Sequence, residues 1–268
     1  MPKKKITPVS LIEMKRRKER IAALTAYDYL TAAILDEIGI EVILVGDSAS
    51  MVYAGYENTL PITLTQMLYH TQAVARGAKN ALVITDMPFL SFQTSVPEAI
   101  RNAGRCLKEG GAQAVKIEGG QPMVKTVKAL VERGIPVMGH LGLMPQSVHR
   151  YGGYPVQARD KEDAERLLKE AKMLEQAGCF SLVLEKIPWK LAKEVTEKIS
   201  IPTIGIGAGP YCDGQVLVID DMLGRFEEFV PKFAKRYAQV ATIMRQACKK
   251  YKEEVKSGKF PTLRHSFS

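Results

Sequence analysis

The chain has 268 residues, of which 46% are hydrophobic and 25% charged, a globular composition able to build a large core without disulfides or a structural metal. Its formal charge of +9 belongs to the ends: residues 1–20 carry net +6 and residues 245–268 net +5, which leaves residues 21–244 at −2. The ends therefore read as solvated helix faces rather than a nucleic-acid footprint. Cys106, Cys179, Cys212 and Cys248 are scattered singly, against a disulfide framework or a zinc site, and no apolar run approaches the length of a membrane span; a cytoplasmic protein with no nucleic-acid or membrane partner is expected.

The opening MPKKKITPVS is basic but leads into no apolar stretch, so it does not read as a secretory signal. Pro8–Arg20 predicts a helix ahead of the first strand. From there, short runs rich in β-branched residues alternate with longer stretches of helical period. The predicted strands are Ile21–Thr25, Val42–Gly46, Ala81–Asp86, Ala114–Glu118, Pro136–His140, Phe180–Glu185, Pro202–Gly205 and Gln215–Ile219. They are nearly all apolar rather than alternating, as parallel strands buried on both faces are. Predicted helices cover Leu64–Arg76 after a Thr63 cap, Pro97–Lys108, Val124–Arg133, Lys161–Gln176 and Pro188–Ile199, several of them closed by glycine. A last apolar-periodic stretch, Phe226–Tyr251, predicts one or two closing helices. Eight strands alternating with helices give an α/β fold, a (β/α)8 barrel with an extra N-terminal helix over its bottom; a doubly wound open sheet is the rival. No linker-like stretch divides the chain, so residues 1–268 are expected to form one domain. Gly142–Asp160, rich in glycine and proline, reads as a long functional loop.

The chemistry lies in what ends the strands. The second run ends in Gly46-Asp47-Ser48, the third in Asp86, the fourth in Lys116-Ile117-Glu118, the fifth in His140 and the sixth in Glu185. In a parallel barrel these ends share one rim, the face that carries active sites. A single aspartate at a strand end is often just a turn former or helix cap, but five such strands in succession bring two Asp, two Glu, a Lys and a His to one mouth. Clustered carboxylates need a compensating cation, and an all-oxygen set favours Mg²⁺, with Asp47, Asp86 and Glu118 as the candidate ligands. Lys116, two residues from Glu118, points to the same face, so the mouth suits a 2-oxo acid chelated by the metal with an ammonium alongside. His140 is either a satisfied polar residue or a participant. Gly205–Gly209 is either a phosphate loop or a tight turn at the rim.

The same residues lie in stretches that resemble the ketopantoate hydroxymethyltransferases: VGDSASMV (Val45–Val52), HTQAVARG (His70–Gly77), DMPF (Asp86–Phe89), AVKIEGG (Ala114–Gly120), GIPVMGHLGLMPQSV (Gly134–Val148), GGYPVQ (Gly152–Gln157), VLEKIP (Val183–Pro188), IPTIGIGAG (Ile201–Gly209) and CDGQVLVIDDMLG (Cys212–Gly224). The resemblance implies a Mg²⁺-dependent barrel enzyme that transfers a one-carbon unit from 5,10-methylenetetrahydrofolate to 3-methyl-2-oxobutanoate, in pantothenate synthesis. It implies metal-site carboxylates at Asp47, Asp86 and Glu118, substrate contacts at Asp47, Ser48, Asp86 and Lys116, and a proton acceptor at Glu185. A homo-oligomer, typically a decamer, is also implied. The chain departs from the usual pattern at Ala49-Ser50, Leu90 and Met144, none of which removes a charged group. The competing readings are another Mg²⁺-dependent 2-oxo-acid barrel, of the phosphoenolpyruvate mutase and isocitrate lyase type, and a basic RNA-binding or scaffold protein.

Overall fold

A computed structural model describes residues 5–268, and the chain divides into two compact units, the first ending at Val218 and the second spanning Ile219–Ser268. In the first unit the order is α1 (Pro8–Arg16), β1 (Ile21–Thr25), α2 (Tyr29–Ile38), β2 (Val42–Val45), α3 (Ala49–Val52), α4 (Leu64–Gly77), β3 (Leu82–Asp86), α5 (Val96–Lys108), β4 (Ala114–Glu118), α6 (Val124–Val131), β5 (Val137–Gly142), α7 (Val148–Tyr151), α8 (Lys161–Gln176), β6 (Ser181–Glu185), α9 (Trp189–Lys198), β7 (Thr203–Ile206) and β8 (Gly214–Leu217). The strands are parallel and pair in chain order, and β1 closes on β8, so the sheet is a barrel and not the open alternative.

The unbroken apolar runs are explained by two faces buried at once. Val42, Leu44, Leu82, Ile84, Ala114, Met138, Val183, Ile204 and Val216 share one cluster, while Val115, Ile117, Val137, Leu141, Leu182 and Leu184 share another with the helices. Side chains along a strand alternate in direction, so the first set fills the barrel and the second faces the surrounding helices. Leu11 and Met14 of α1 belong to the inner cluster, so this helix packs on the bottom of the barrel as expected. Lys15 Nζ fastens it there, 2.8 Å from the Thr196 carbonyl, 3.0 Å from that of Ile201 and 3.0 Å from Asp213 Oδ2.

Helix α2 was not anticipated from sequence. Its buried residues are Ala32, Leu35 and Asp36, whereas Leu30, Ile34 and Ile38 are exposed, so its apolar residues run around the helix and form no stripe. In the second unit, α10 (Ile219–Met222) and α11 (Val240–Lys256) are the α-helices, with a short 3-10 turn at Leu263–His265, and the expected helical stretch from Phe226 begins only at Val240. Pro231, which lacks an amide proton, interrupts the intervening segment, and this is held instead by bonds such as Arg236 Nη2 to the Phe226 carbonyl at 2.9 Å.

Candidate active site

The register of the sheet assembles the polar mouth. Asp86 lies opposite Lys116 and Glu118 opposite His140, while Glu185 is two residues beyond Val183, the partner of His140. Asp86, Lys116, Glu118, His140 and Glu185 all continue the inward-facing positions of their strands, above the apolar filling. The side chains accordingly form a row. Lys116 Nζ is 3.0 Å from Asp86 Oδ1 and 3.0 Å from His140 Nδ1. His140 Nδ1 is 3.5 Å from Glu118 Oε1, and its Nε2 is 3.2 Å from Glu185 Oε2. The Lys116, Glu118 and His140 side chains are at most 5% exposed; that of Glu185 is 14% exposed, the most open carboxylate of the row.

Asp47 and Ser48 join this row from the turn after β2. The Asp47 amide donates to Asp86 Oδ2 at 3.1 Å, so the turn is tied directly to the end of β3. Gly46 permits the approach, because a Cβ there would lie 2.6 Å from Ser48 Oγ. Ser48 Oγ is 2.8 Å from the Tyr27 hydroxyl, and the Tyr27 carbonyl is 2.8 Å from His70 Nδ1. His70 packs edge-on against Tyr53 with ring centroids 4.9 Å apart.

Gln146, which was not singled out from sequence, joins two of the carboxylates. Its amide nitrogen in the main chain donates to Glu118 Oε2 at 3.1 Å; its side-chain Nε2 donates to Asp47 Oδ2 and to the Met87 carbonyl, both at 2.9 Å. Gln93 Nε2 donates to its remaining oxygen at 3.1 Å. The only hint in the sequence is its place within the long Gly142–Asp160 loop, which looked functional as a whole.

Electrostatics follow from burying four carboxylates around one ammonium. Burial, with the charges of Asp86 and Glu118, pushes the Asp47 carboxyl well above the usual range. Burial likewise raises Asp86, against the opposing pull of Lys116. For Lys116, burial is outweighed by Asp86, Glu118 and Asp47, which hold the ammonium charged. Burial and Lys116 lower the His140 pKa, hydrogen bonds to Glu118 and Glu185 raise it, and the balance lies above the ordinary histidine value. The geometry favours a neutral ring nonetheless: an ammonium only donates, so Nδ1 accepts from Lys116 and the ring proton sits on Nε2, which is 3.2 Å from Glu185 Oε2 but not aligned for a hydrogen bond. Protonating Nδ1 as well would set two cations 3.0 Å apart.

Asp47, Asp86 and Glu118 share the single ammonium of Lys116, so the trio holds more acidic groups than that one cation compensates. Glu118 Oε1 is buried without an aligned hydrogen-bond partner, and Asp86 Oδ1 has only the Lys116 ammonium 3.0 Å away. Buried carboxylate oxygens so sparsely partnered are costly, and a hard divalent cation matches both the charge and the donor type. Among the described residues no group of three His, Cys, Asp or Glu is arranged as a preformed cage. Mg²⁺ does not require one, since it is commonly held by one or two carboxylates with water and substrate completing its shell. The residues thus fit a hard cation resting on part of the trio.

Of the two readings of Gly205–Gly209, the structure favours the tight turn. Gly209 has φ +81° and its Cβ would lie 2.4 Å from the Trp189 Cβ, so the glycine-rich run provides close packing against α9. Trp189 itself is 47% exposed and lies against Tyr211, ring centroids 5.3 Å apart.

A ketopantoate hydroxymethyltransferase family model matches residues 5–263. A protein of Syntrophus aciditrophicus named 3-methyl-2-oxobutanoate hydroxymethyltransferase is 55% identical over 264 residues, 98% of this chain and 97% of that one. One of Trichlorobacter lovleyi with the same name is 56% identical over 266 residues, 99% of this chain and 100% of its own length. Among solved structures, 2,3-dimethylmalate lyase, described as a member of the PEP mutase/isocitrate lyase superfamily, superposes with a TM-score of 0.64 at 17% identity, covering 98% of this chain and 89% of that one. A phosphonopyruvate hydrolase solved with oxalate and Mg²⁺ does so with a TM-score of 0.61 at 12% identity, covering 97% and 93%. At those identities the solved structures share the barrel and no more. The full-length relatives carry the assignment: this chain belongs to the ketopantoate hydroxymethyltransferase family of enzymes.

Proposed function

We propose that this enzyme joins the one-carbon unit of 5,10-methylenetetrahydrofolate to C3 of 3-methyl-2-oxobutanoate. Water supplies the new hydroxyl oxygen, the C3 proton is lost, and the products are 2-dehydropantoate and tetrahydrofolate, in the route to pantothenate. The observation that carries this reading is the buried row Asp86–Lys116–His140–Glu185, flanked by Asp47 and Glu118, in a chain of this family.

Asp47 and Asp86 would hold Mg²⁺, with Glu118 completing the acidic wall. When bound, the ion supplies Lewis-acid stabilisation of negative charge on the oxo-acid oxygens. Asp47, Ser48 and Asp86 line the place of the acid, and Lys116 Nζ holds its charged oxygens through charge-assisted hydrogen bonds. Glu185, the most open carboxylate of the row, takes the proton from C3. His140 acts on Glu185 as a positioning residue: Lys116 fixes its tautomer through Nδ1, and Nε2 lies 3.2 Å from the glutamate oxygen, where a small ring rotation brings its proton into line. Expelling water from so dry a mouth strengthens each of these interactions. Four free cysteines, and the lack among the described residues of a helix long and apolar enough to cross a membrane, support the cytoplasm as the site of action. A homo-oligomer, a decamer in the family pattern, is proposed on resemblance alone.

The test is a coupled assay with 3-methyl-2-oxobutanoate and methylenetetrahydrofolate. Product should form with Mg²⁺, stop with EDTA and return when Mg²⁺ is restored. Absence of tetrahydrofolate-dependent product at every Mg²⁺ concentration rejects the assignment.

A further inference from the structure

Beside the mouth lies a cavity of about 660 Å³ that the row of charged residues does not occupy. It is bounded by the turn after β4, the loop after β5 and one face of α8, and it touches the mouth through Glu118 and Gln146. We infer that this cavity binds the tetrahydrofolate co-substrate with its pterin ring against Glu170 and its glutamate tail towards Arg150, an inference that rests on the activity proposed above.

Three features of the cavity carry this. Its volume falls within the range that binds cofactor-sized molecules and is far more than a small branched oxo acid requires. The acid already has a complete set of partners in the mouth, so the space serves a second, larger reactant, and Glu118 and Gln146 bring that reactant next to the first.

The lining also matches a folate in kind. Phe89, Met123 and Met144 offer apolar surface for flat rings, and a carboxylate stands on the same wall. Glu170 presses against Gly120, where a Cβ would lie 2.2 Å from its carboxyl carbon, and Oε1 accepts from the Gln121 amide at 3.1 Å. No other hydrogen bond to this carboxylate is found among the described residues, which leaves it capacity to accept. The amino-pyrimidinone edge of a pterin presents two adjacent N–H donors, and an ionised carboxylate is the side chain that takes such a pair. Arg150 lines the same cavity, is exposed and has no ion-pair partner among the described residues, so it is available to the carboxylates of the tail.

The test separates donor binding from the chemistry at C3. With 3-methyl-2-oxobutanoate and Mg²⁺ alone, exchange of the C3 proton in deuterated water reports the mouth; methylenetetrahydrofolate turnover reports both sites. Glu170→Gln turns one acceptor into a donor facing the pterin. It should raise KM for methylenetetrahydrofolate roughly 10- to 100-fold while exchange and KM for the oxo acid stay within about threefold. Gly120→Ala, which displaces the carboxylate without removing it, should act the same way. The variants should likewise weaken binding of 6-methyltetrahydropterin, which lacks the tail, whereas Arg150→Ala should weaken only the full folate. Unchanged donor KM in both Glu170→Gln and Gly120→Ala, with an active wild type, overturns the pocket and leaves the activity standing. An equal loss in exchange overturns it too, because the cavity then serves the oxo acid. A wild-type enzyme with neither exchange nor product removes the activity, and the pocket assignment with it.

Discussion

Replacing Gln146 by leucine isolates the residue that fastens the β5–α7 loop to the mouth. The main-chain donation to Glu118 survives, because it does not involve the side chain. Three side-chain bonds are lost: donation to Asp47 Oδ2 and to the Met87 carbonyl, and acceptance from Gln93. A hydrogen bond to a charged group contributes about 1.5–3 kcal/mol, and each partner left buried and unpaired adds about 1–3 kcal/mol. Allowing for relaxation and water entry, we expect a local loss of about 3–5 kcal/mol. In the folded enzyme this frees Asp47 and loosens the loop, lowering kcat/KM for the oxo acid by roughly 10²–10³-fold. Denaturant unfolding should register a fall of at least about 2 kcal/mol, measurable against the ~5–15 kcal/mol of a typical domain. Gln146→Glu sharpens the test, since it places a carboxylate against Asp47. That variant should be the less active of the two at neutral pH and recover as pH falls and one of the pair is protonated. Activity of Gln146→Leu within threefold of wild type, with unchanged unfolding, would refute the idea that this side chain organises the mouth.

Removing the proposed base by Glu185→Gln should keep oxo-acid binding while exchange at C3 falls roughly 10²–10⁴-fold; unchanged exchange would sink that role. Asp47→Asn and Asp86→Asn should each lose activity together with Mg²⁺ dependence, read as activity against free Mg²⁺, and full activity at ordinary Mg²⁺ would move the site elsewhere. Lys116→Met deletes the only ammonium of the row and should cost about 3–5 kcal/mol in denaturant unfolding, because it strands buried carboxylates; a loss below about 1 kcal/mol would contradict the assigned charges. Far from the mouth, Asp36 is buried, and although burial opposes ionisation, bonds from Asn80 and Ala81 at 2.7–2.8 Å hold its carboxyl below the usual range. With a lowered folded pKa, its contribution is fully present above the unfolded value of ~3.9 and is lost as pH falls through the folded value. Asp36→Asn should therefore be less stable than wild type at pH 7, and the gap should narrow in acid; a gap that does not change with pH excludes the mechanism.

The barrel was legible because its strands are buried on both faces, which leaves an apolar run that polar surroundings set off clearly. Ile21–Thr25, Ala114–Glu118 and Lys161–Gln176 were read to the residue. Helix α2 escaped because a helix that exposes Leu30, Ile34 and Ile38 and buries Asp36 carries no amphipathic period to detect. The closing helix was begun too early, since apolar residues recur at helical spacing through Phe226–Gln239 although Pro231 interrupts them.

Within the mouth, the division between what the sequence reveals and what it hides follows the backbone. Strand-borne groups are readable, because period-two alternation and parallel register determine both the face and the neighbours of Asp86, Lys116, Glu118, His140 and Glu185. Loop-borne groups obey no such rule. Nothing in the spacing of Met144-Pro145-Gln146 says that its glutamine reaches Asp47, ninety-nine residues away in the chain. Nor does anything near Gly120 announce Glu170, fifty residues on, as its neighbour. Most groups of the charged row thus sit on rigid strands, where small displacements are expensive, with Asp47 on the turn after β2, while Gln146 and Glu170 sit on a loop and a helix face. That division explains why the strand-borne acidic row could be anticipated from the chain and the cavity lined by Gln146 and Glu170 could not.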